Sequence, residues 1–304
     1  MSCHKRLYFI IIFLTVLIIT CHPITVFAEK IKTTIGFKSI YSSGISDTNI
    51  AYKPFGRIAY DINFFKLEAT GMYTINQQIT DGMGNFTEIN TCQGQVKTLL
   101  TIGEFMDLGG GYSLTKGENS YTSKMYMANG SIYIGDATID LDYSRENKEY
   151  SYNGAIDIIN QIFIGSLSYD INDFIGYELE YHYLANNFSN LDYTYDKKIV
   201  RIGMSVYGDK TVYMAGINAG TDSGDYTIFG ADFGLSKKFF DAIKILLAYN
   251  VDYYNPPSVT STSGGGHGGS NGGGYKGMNP YLRSSLAGKS FFSHSLSASI
   301  SYLF

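Results

Sequence analysis

Residues 293–304 read SHSLSASISYLF, and the period of that stretch decides the fold. Leu296, Ala298, Ile300, Tyr302 and Phe304 fall at every second position, with Ser293, Ser295, Ser297, Ser299 and Ser301 between them. Successive side chains of a β-strand point to opposite faces, so this segment makes a strand with one oily and one wet face. A helix would scatter both sets around its circumference. The same alternation recurs upstream. Phe65, Leu67, Ala69, Gly71, Tyr73 and Ile75 oppose Lys66, Glu68, Thr70 and Thr74. Ile175, Tyr177, Leu179, Tyr181 and Tyr183 oppose Glu178, Glu180 and His182. Ile243, Ile245, Leu247, Tyr249, Val251 and Tyr253 oppose Lys244, Asn250 and Asp252.

Followed along the chain, the periodicity predicts fourteen strands, at 31–41, 51–62, 64–76, 91–105, 108–116, 123–134, 137–146, 155–171, 174–186, 194–207, 210–220, 225–236, 243–254 and 288–304. A different parse of 86–105 and 150–171 gives 12 or 16. Short connections near Asn63, Met106-Asp107, Gly135-Asp136, Asn172-Asp173, Gly208-Asp209 and Lys238–Ala242 carry residues suited to tight hairpins. Longer connections are expected at 42–50, 77–90, 117–122, 147–154, 187–193, 221–224 and 255–287. Short and long connections alternate, the mark of an up-and-down antiparallel sheet.

The first 28 residues have the plan of a secretory signal peptide. Lys5 and Arg6 precede the apolar run Leu7–Ile19, and Val26-Phe27-Ala28 suits a cut before Glu29. A lipoprotein cut before Cys21 is the rival, but Ile18-Ile19-Thr20 lacks the small residues such a site needs. Removing Lys5 and Arg6 takes the net charge from −4 to −6, which carries no nucleic-acid footprint. Cys3 and Cys21 leave with the signal, so Cys92 stands alone, too few for an internal disulfide or a thiolate metal cluster. After the signal no apolar stretch is long enough for a transmembrane helix.

The alternating terminal strand that closes on Phe304 resembles the C-terminal assembly signal of Gram-negative outer-membrane β-barrels, and the porin-like members in particular. The resemblance is to the broad class, with no motif of a specific family. It implies an all-β fold: a transmembrane antiparallel up-and-down β-barrel of about 14 strands over residues 29–304. Leu296, Ala298, Ile300, Tyr302 and Phe304 would then be read by the barrel-assembly machinery and afterwards face lipid. Both termini are expected in the periplasm, and outer-membrane lipid and lipopolysaccharide as the surroundings. A homo-oligomer is left open, because an apolar subunit contact looks the same in sequence as a lipid-facing surface.

In a barrel the wet face lines the lumen, and there the charges sort by strand. Lys32, Lys38, Arg57, Lys66 and Lys97 occupy inward positions on the first four strands, against Asp61 and Glu68. Asp140, Asp142, Asp170, Glu178, Glu180 and His182 occupy inward positions on strands seven to nine. These pore-lining candidates suggest a transverse field across a water-filled pore. The plainer account is that they are solvated or paired wall residues.

The connection 255–287 contains the glycine tract Gly264–Gly274 and is expected outside the membrane, folded into the bore or free at the surface. Its His267 is a single ligand and makes no metal site. His182 beside Glu180 is the one catalytic constellation worth naming, but the sequence fixes no nucleophile near it and has no GxSxG. His294 has lipid-facing parity. Tyr60, Tyr73, Tyr133, Tyr169, Tyr177, Tyr181, Tyr249 and Tyr302 are expected in the aromatic girdles. The expectation is therefore a porin-like channel for passive diffusion of small polar solutes or ions, with no cofactor and no enzymatic activity. The alternative is a closed or plugged barrel with a structural or surface-binding role through its loops.

Overall fold

The structure, a computed structural model, describes residues 31–43, 48–62, 64–80, 86–150, 156–188, 193–240, 242–256 and 290–303. The signal segment, the Gly-rich tract and Phe304 lie outside the described residues.

Fourteen strands form one closed antiparallel barrel in which each strand pairs only with its neighbours in sequence, and the last pairs with the first. They are β1 Ile31–Ser43, β2 Thr48–Ile62, β3 Phe65–Thr80, β4 Phe86–Ile102, β5 Met106–Gly117, β6 Thr122–Ile134 and β7 Ala137–Tyr150. The second half comprises β8 Ile156–Asn172, β9 Ile175–Phe188, β10 Tyr193–Tyr207, β11 Thr211–Asp222, β12 Thr227–Phe239, β13 Ile243–Asn255 and β14 Phe291–Leu303. Closure runs from Thr34↔Leu303 to Ser43↔His294. No strand edge is left unpaired, which a hydrocarbon surround demands because lipid offers backbone groups no hydrogen bonds.

The alternation sorts as the periodicity predicts. Phe292, Leu296, Ile300 and Tyr302 of β14 are exposed on the outer face, and the intervening serines are half-buried on the inner one. Tyr169, Tyr177, Tyr181 and Tyr249 are likewise exposed outside. His294 lies on that face too, stacked on the Tyr249 ring, and its Nδ1 is 2.8 Å from the Tyr249 hydroxyl. Tyr133 departs from the expected girdle: it has lumen parity, and its hydroxyl donates to Asp107 Oδ2 at 2.9 Å. Tyr73 is buried rather than displayed.

Several connections expected to be long are in fact short. Residues 77–80 and 86–90 continue β3 and β4, leaving 81–85 between them, and β7 runs on to Tyr150. Polar residues on both faces there erase the alternation, yet the backbone ladder persists. A bulge in β3 between Thr74 and Gln77, with Asn76 at φ 57°, resets the register, so that Gln77 pairs with the inward-facing, buried Ile89. A strand of 12 residues already spans the apolar layer, about 25 Å when tilted, so the longer strands rise beyond it at the end opposite the termini.

That loop end is packed on its inner side. Tyr226, Ile228 and Tyr254 form a buried cluster with Phe291 against it, and Ile158, Phe188 and Tyr195 form another with Leu184. Tyr121, in the β5–β6 connection, is buried enough that its phenol is pushed well above the usual range. The opposite end is built differently. Its connections are tight turns, and Phe64, Phe105, Phe174 and Phe240 are exposed in four of them. Turn carbonyls of Phe64, Phe105 and Phe174 accept hydrogen bonds from Thr101, Tyr133 and Tyr207 on the next hairpin, at 2.8 Å each, tying neighbouring hairpins together.

Cys92 is disulfide-bonded. A lone thiol, as expected above, therefore holds only for a chain cut before Glu29.

Candidate functional site

The lumen is the one surface to which every strand contributes chemistry, and the two sides of it are built on opposite plans. On the first side, β1–β4, lysines predominate. Lys32 and Lys38 of β1, Arg57 of β2, Lys66 of β3 and Lys97 of β4 all have lumen parity. Lys53 of β2 joins them and stands directly opposite Lys38. Its inward parity is readable in the alternation of β2. Like charges placed opposite one another across a ladder are unfavourable, so this wall carries a standing cost. Only Arg57 is neutralised, by Glu68 at 2.5 Å. None of the five lysines makes an ion pair among the described residues.

The other side, β9–β13, is a locked network. Arg201 of β10 reaches three carboxylates on both neighbouring sides. Its Nη1 is 2.9 Å from Glu178 and 2.7 Å from Glu180 on β9. Its Nε and Nη2 donate to the two oxygens of Asp232 on β12, each at 2.8 Å, a two-pronged grip only a guanidinium can make. Glu180 also contacts the His182 ring. Glycines make room for this arrangement. A Cβ on Gly203 or on Gly216 would sit 2.7 Å from a guanidinium nitrogen. Toward the loop end, Lys197 donates to the Tyr254 hydroxyl at 2.8 Å and lies 3.6 Å from Asp252. Asn218 donates to Asp252 at 3.2 Å. These side chains lie along the wall rather than across the bore.

Of the two accounts of the lumen charges, pairing describes Glu178 and Glu180, which share Arg201. The acidic side carries its own cation in Arg201, whose inward position the alternation of Val200, Ile202, Met204 and Val206 foretells. Asp140 accepts from Ser131 at 2.5 Å, and Asp142 faces a cavity described next. Asp170 stands near the turn end, where it would collide with a side chain at Gly176. The positions paired with His182 are Ile164 and Ile199, with Ser166 one step along β8 on the same face.

Between the walls, a cavity of about 350 Å³ opens on the inner face of β3–β8. Lys66, Lys97, Glu68 and Asp142 are among its lining residues, together with Leu99, Met125, Met127, Ile162 and Ile164. A purely aqueous wall has no use for that apolar floor, and alternation alone does not reveal that those five side chains converge. Among the described residues no group of His, Cys, Asp and Glu is arranged to hold a metal ion.

No protein-family model matches the chain, and no curated protein sequence matches it. Solved structures do. The CymD monoaromatic hydrocarbon channel is 9% identical and superposes with a TM-score of 0.57, covering 90% of this chain and 88% of that one. The fold is that of the outer-membrane β-barrels. The Pseudomonas putida toluene transporter TodX gives 8% identity and a TM-score of 0.50, over 90% of this chain and 89% of that one. OmpT, an outer-membrane protein of Vibrio cholerae, gives 13% and 0.49, over 90% and 97%. At such identities the likeness is one of fold.

Proposed function

We propose that the protein is an outer-membrane channel through which small polar and ionic solutes diffuse passively, its termini in the periplasm and its lumen lysines acting on passing anions. The observation that carries this reading is the closed ring of fourteen strands. With strands about 4.8 Å apart and tilted about 40°, fourteen of them enclose a backbone cylinder roughly 25–30 Å across. That is wider than side chains lying along the wall can fill. The connections 44–47, 81–85, 118–121, 151–155, 189–192 and 223–226 are too short to cross such a bore and return. The fold shared with CymD and TodX, whose descriptions name them a hydrocarbon channel and a toluene transporter, adds support for a conducting role.

Single-channel recording tests this. Membrane-inserted protein should give stable conductance steps in potassium chloride, with a reversal potential in a salt gradient. Neutralising Asp140, Asp142, Glu178 and Glu180 together should move that potential toward anions. Silence from protein shown to be folded and inserted would refute the channel.

A second reading is favoured by the inward clusters around Ile228 and Phe188, which narrow the loop end. On that reading the barrel is closed and acts through its connections, of which 257–289 is the longest in the sequence. Silence in the recording would select it.

A further inference from the structure

The cavity on β3–β8 has a composition that neither wall architecture nor bulk diffusion requires. Met125, Met127, Ile162 and Ile164 are inward and half-buried on β6 and β8, and Leu99 of β4 adds to them beside its ladder partner Lys66. Lys66 of β3 and Lys97 of β4 also line it, without an ion-pair partner among the described residues. Glu68 is already held by Arg57, which leaves Asp142 as the only other carboxylate lining the space. The cavity thus offers two ammonium groups against one uncommitted carboxylate, beside a floor of thioethers and branched aliphatic chains.

We propose that this cavity is a binding station for small organic anions that carry an apolar body, such as an aromatic or short aliphatic carboxylate. This rests on the channel reading above and specifies the solute class that lingers there. The carboxylate of such a solute completes the charge of Lys66 and Lys97, each a donor of up to three hydrogen bonds. Its hydrocarbon part covers the Met125–Met127 and Ile162–Ile164 surface, which otherwise faces water at a cost proportional to its area. Methionine suits a floor for solutes of varied shape, being unbranched and polarisable. The volume, about 350 Å³, holds one ring-sized molecule with accompanying water. A simple inorganic anion engages the lysines alone, and a neutral hydrocarbon leaves them unpaired. Discrimination therefore comes from satisfying both halves of the site at once.

Benzoate, hexanoate and acetate are the probes. Added to the membrane-inserted full-length protein in potassium chloride, benzoate and hexanoate should interrupt the single-channel current at concentrations roughly tenfold or more below acetate, as burial of a ring or a short chain predicts. Lys66→Met and Lys97→Met should each raise the benzoate concentration for half-block at least several-fold, and Met125→Gln with Met127→Gln should erase the preference over acetate. Lys97→Gln serves where a methionine variant fails to insert, and Lys116→Met, on the outer face, should change nothing.

Equal block by benzoate and acetate in a conducting barrel would overturn the station while leaving the channel standing. If folded protein conducts no current, the channel reading fails, and binding of labelled benzoate to the detergent-solubilised barrel decides the station separately. Lys97-dependent retention supports it, and retention no greater than that of acetate overturns it.

Discussion

The β9–β13 wall and the β1–β4 wall spend charge in opposite ways. Around Arg201, one cation serves three carboxylates through distances of 2.7–2.9 Å, and glycines keep the space clear. Around Lys66 and Lys97, cations stand without ion-pair partners among the described residues. A charge tied to several partners has its geometry fixed by them, and its removal strands those partners. An unpaired charge in water contributes little to folding and remains available to a solute. The contrast separates charges that hold the barrel from charges that act on its contents, and it can be broken experimentally.

The largest effect should come from Arg201→Met, which leaves Glu178, Glu180 and Asp232 crowded together without their shared cation. The Arg201 side chain is 17% exposed and its partners 16–39%, so water relieves part of the penalty. The loss should be about 2–3 kcal/mol, somewhat less than for a fully buried pair. The midpoint of urea unfolding, followed by heat-modifiable migration of the barrel, checks it. A change below about 0.5 kcal/mol would dissolve the contrast between the walls.

Next comes Gly216→Ala. Its Cβ would lie 2.6 Å from Asp232 Oδ1 and 2.7 Å from Arg201 Nε, so the two-pronged grip must shift. The expected loss is about 1–2 kcal/mol. Gly94→Ala is the matched control: a Cβ there meets nothing within 4 Å, and stability should be unchanged or slightly raised. Arg201→Lys should cost about 1 kcal/mol, because an ammonium cannot grip Asp232 with two parallel bonds. Its charge is conserved, so the reversal potential should not move. A shifted potential would mean that Arg201 faces the solute path after all.

How much of this was open to inspection in the sequence follows from what alternation encodes. Period two states which face a side chain takes, so the fourteen strands, the serine face of β14 and the inward parity of Lys66, Lys97, Glu178 and Glu180 are all legible. It does not state which residues meet across two or three strands. The grip of Arg201 on Asp232 skips over β11, and its feasibility depends on Gly216 in between. Listed strand by strand, Glu178 and Glu180 show no cation because theirs lies on the next strand. The apolar floor was missed for a related reason. Met125, Met127, Ile162 and Ile164 belong to β6 and β8, and neither strand alone shows a patch. At the loop end the signal itself fades, since beyond the lipid both faces of β3 and β4 are polar while the ladder continues to Thr80 and from Phe86.

The smallest expected change in stability is the most telling. Lys97→Met removes the same unit charge as Arg201→Met, from a side chain of similar length. If the two walls differ as described, unfolding should be altered by no more than about 0.5 kcal/mol, since no carboxylate is left stranded except the exposed Asp142. Conduction should still change. A unit charge about 6 Å from the path of an ion in water is worth roughly 0.7 kcal/mol to an anion and the opposite to a cation, or up to about a tenfold change in the anion-to-cation permeability ratio before screening. The effect should fade in concentrated salt, where the Debye length falls to about 3 Å. A Lys97→Met barrel that is as stable as its parent and less permeable to anions would establish that stability and selectivity are held by different charges. A barrel equally destabilised by either substitution would show instead that Lys97 is as deeply engaged in the wall as Arg201.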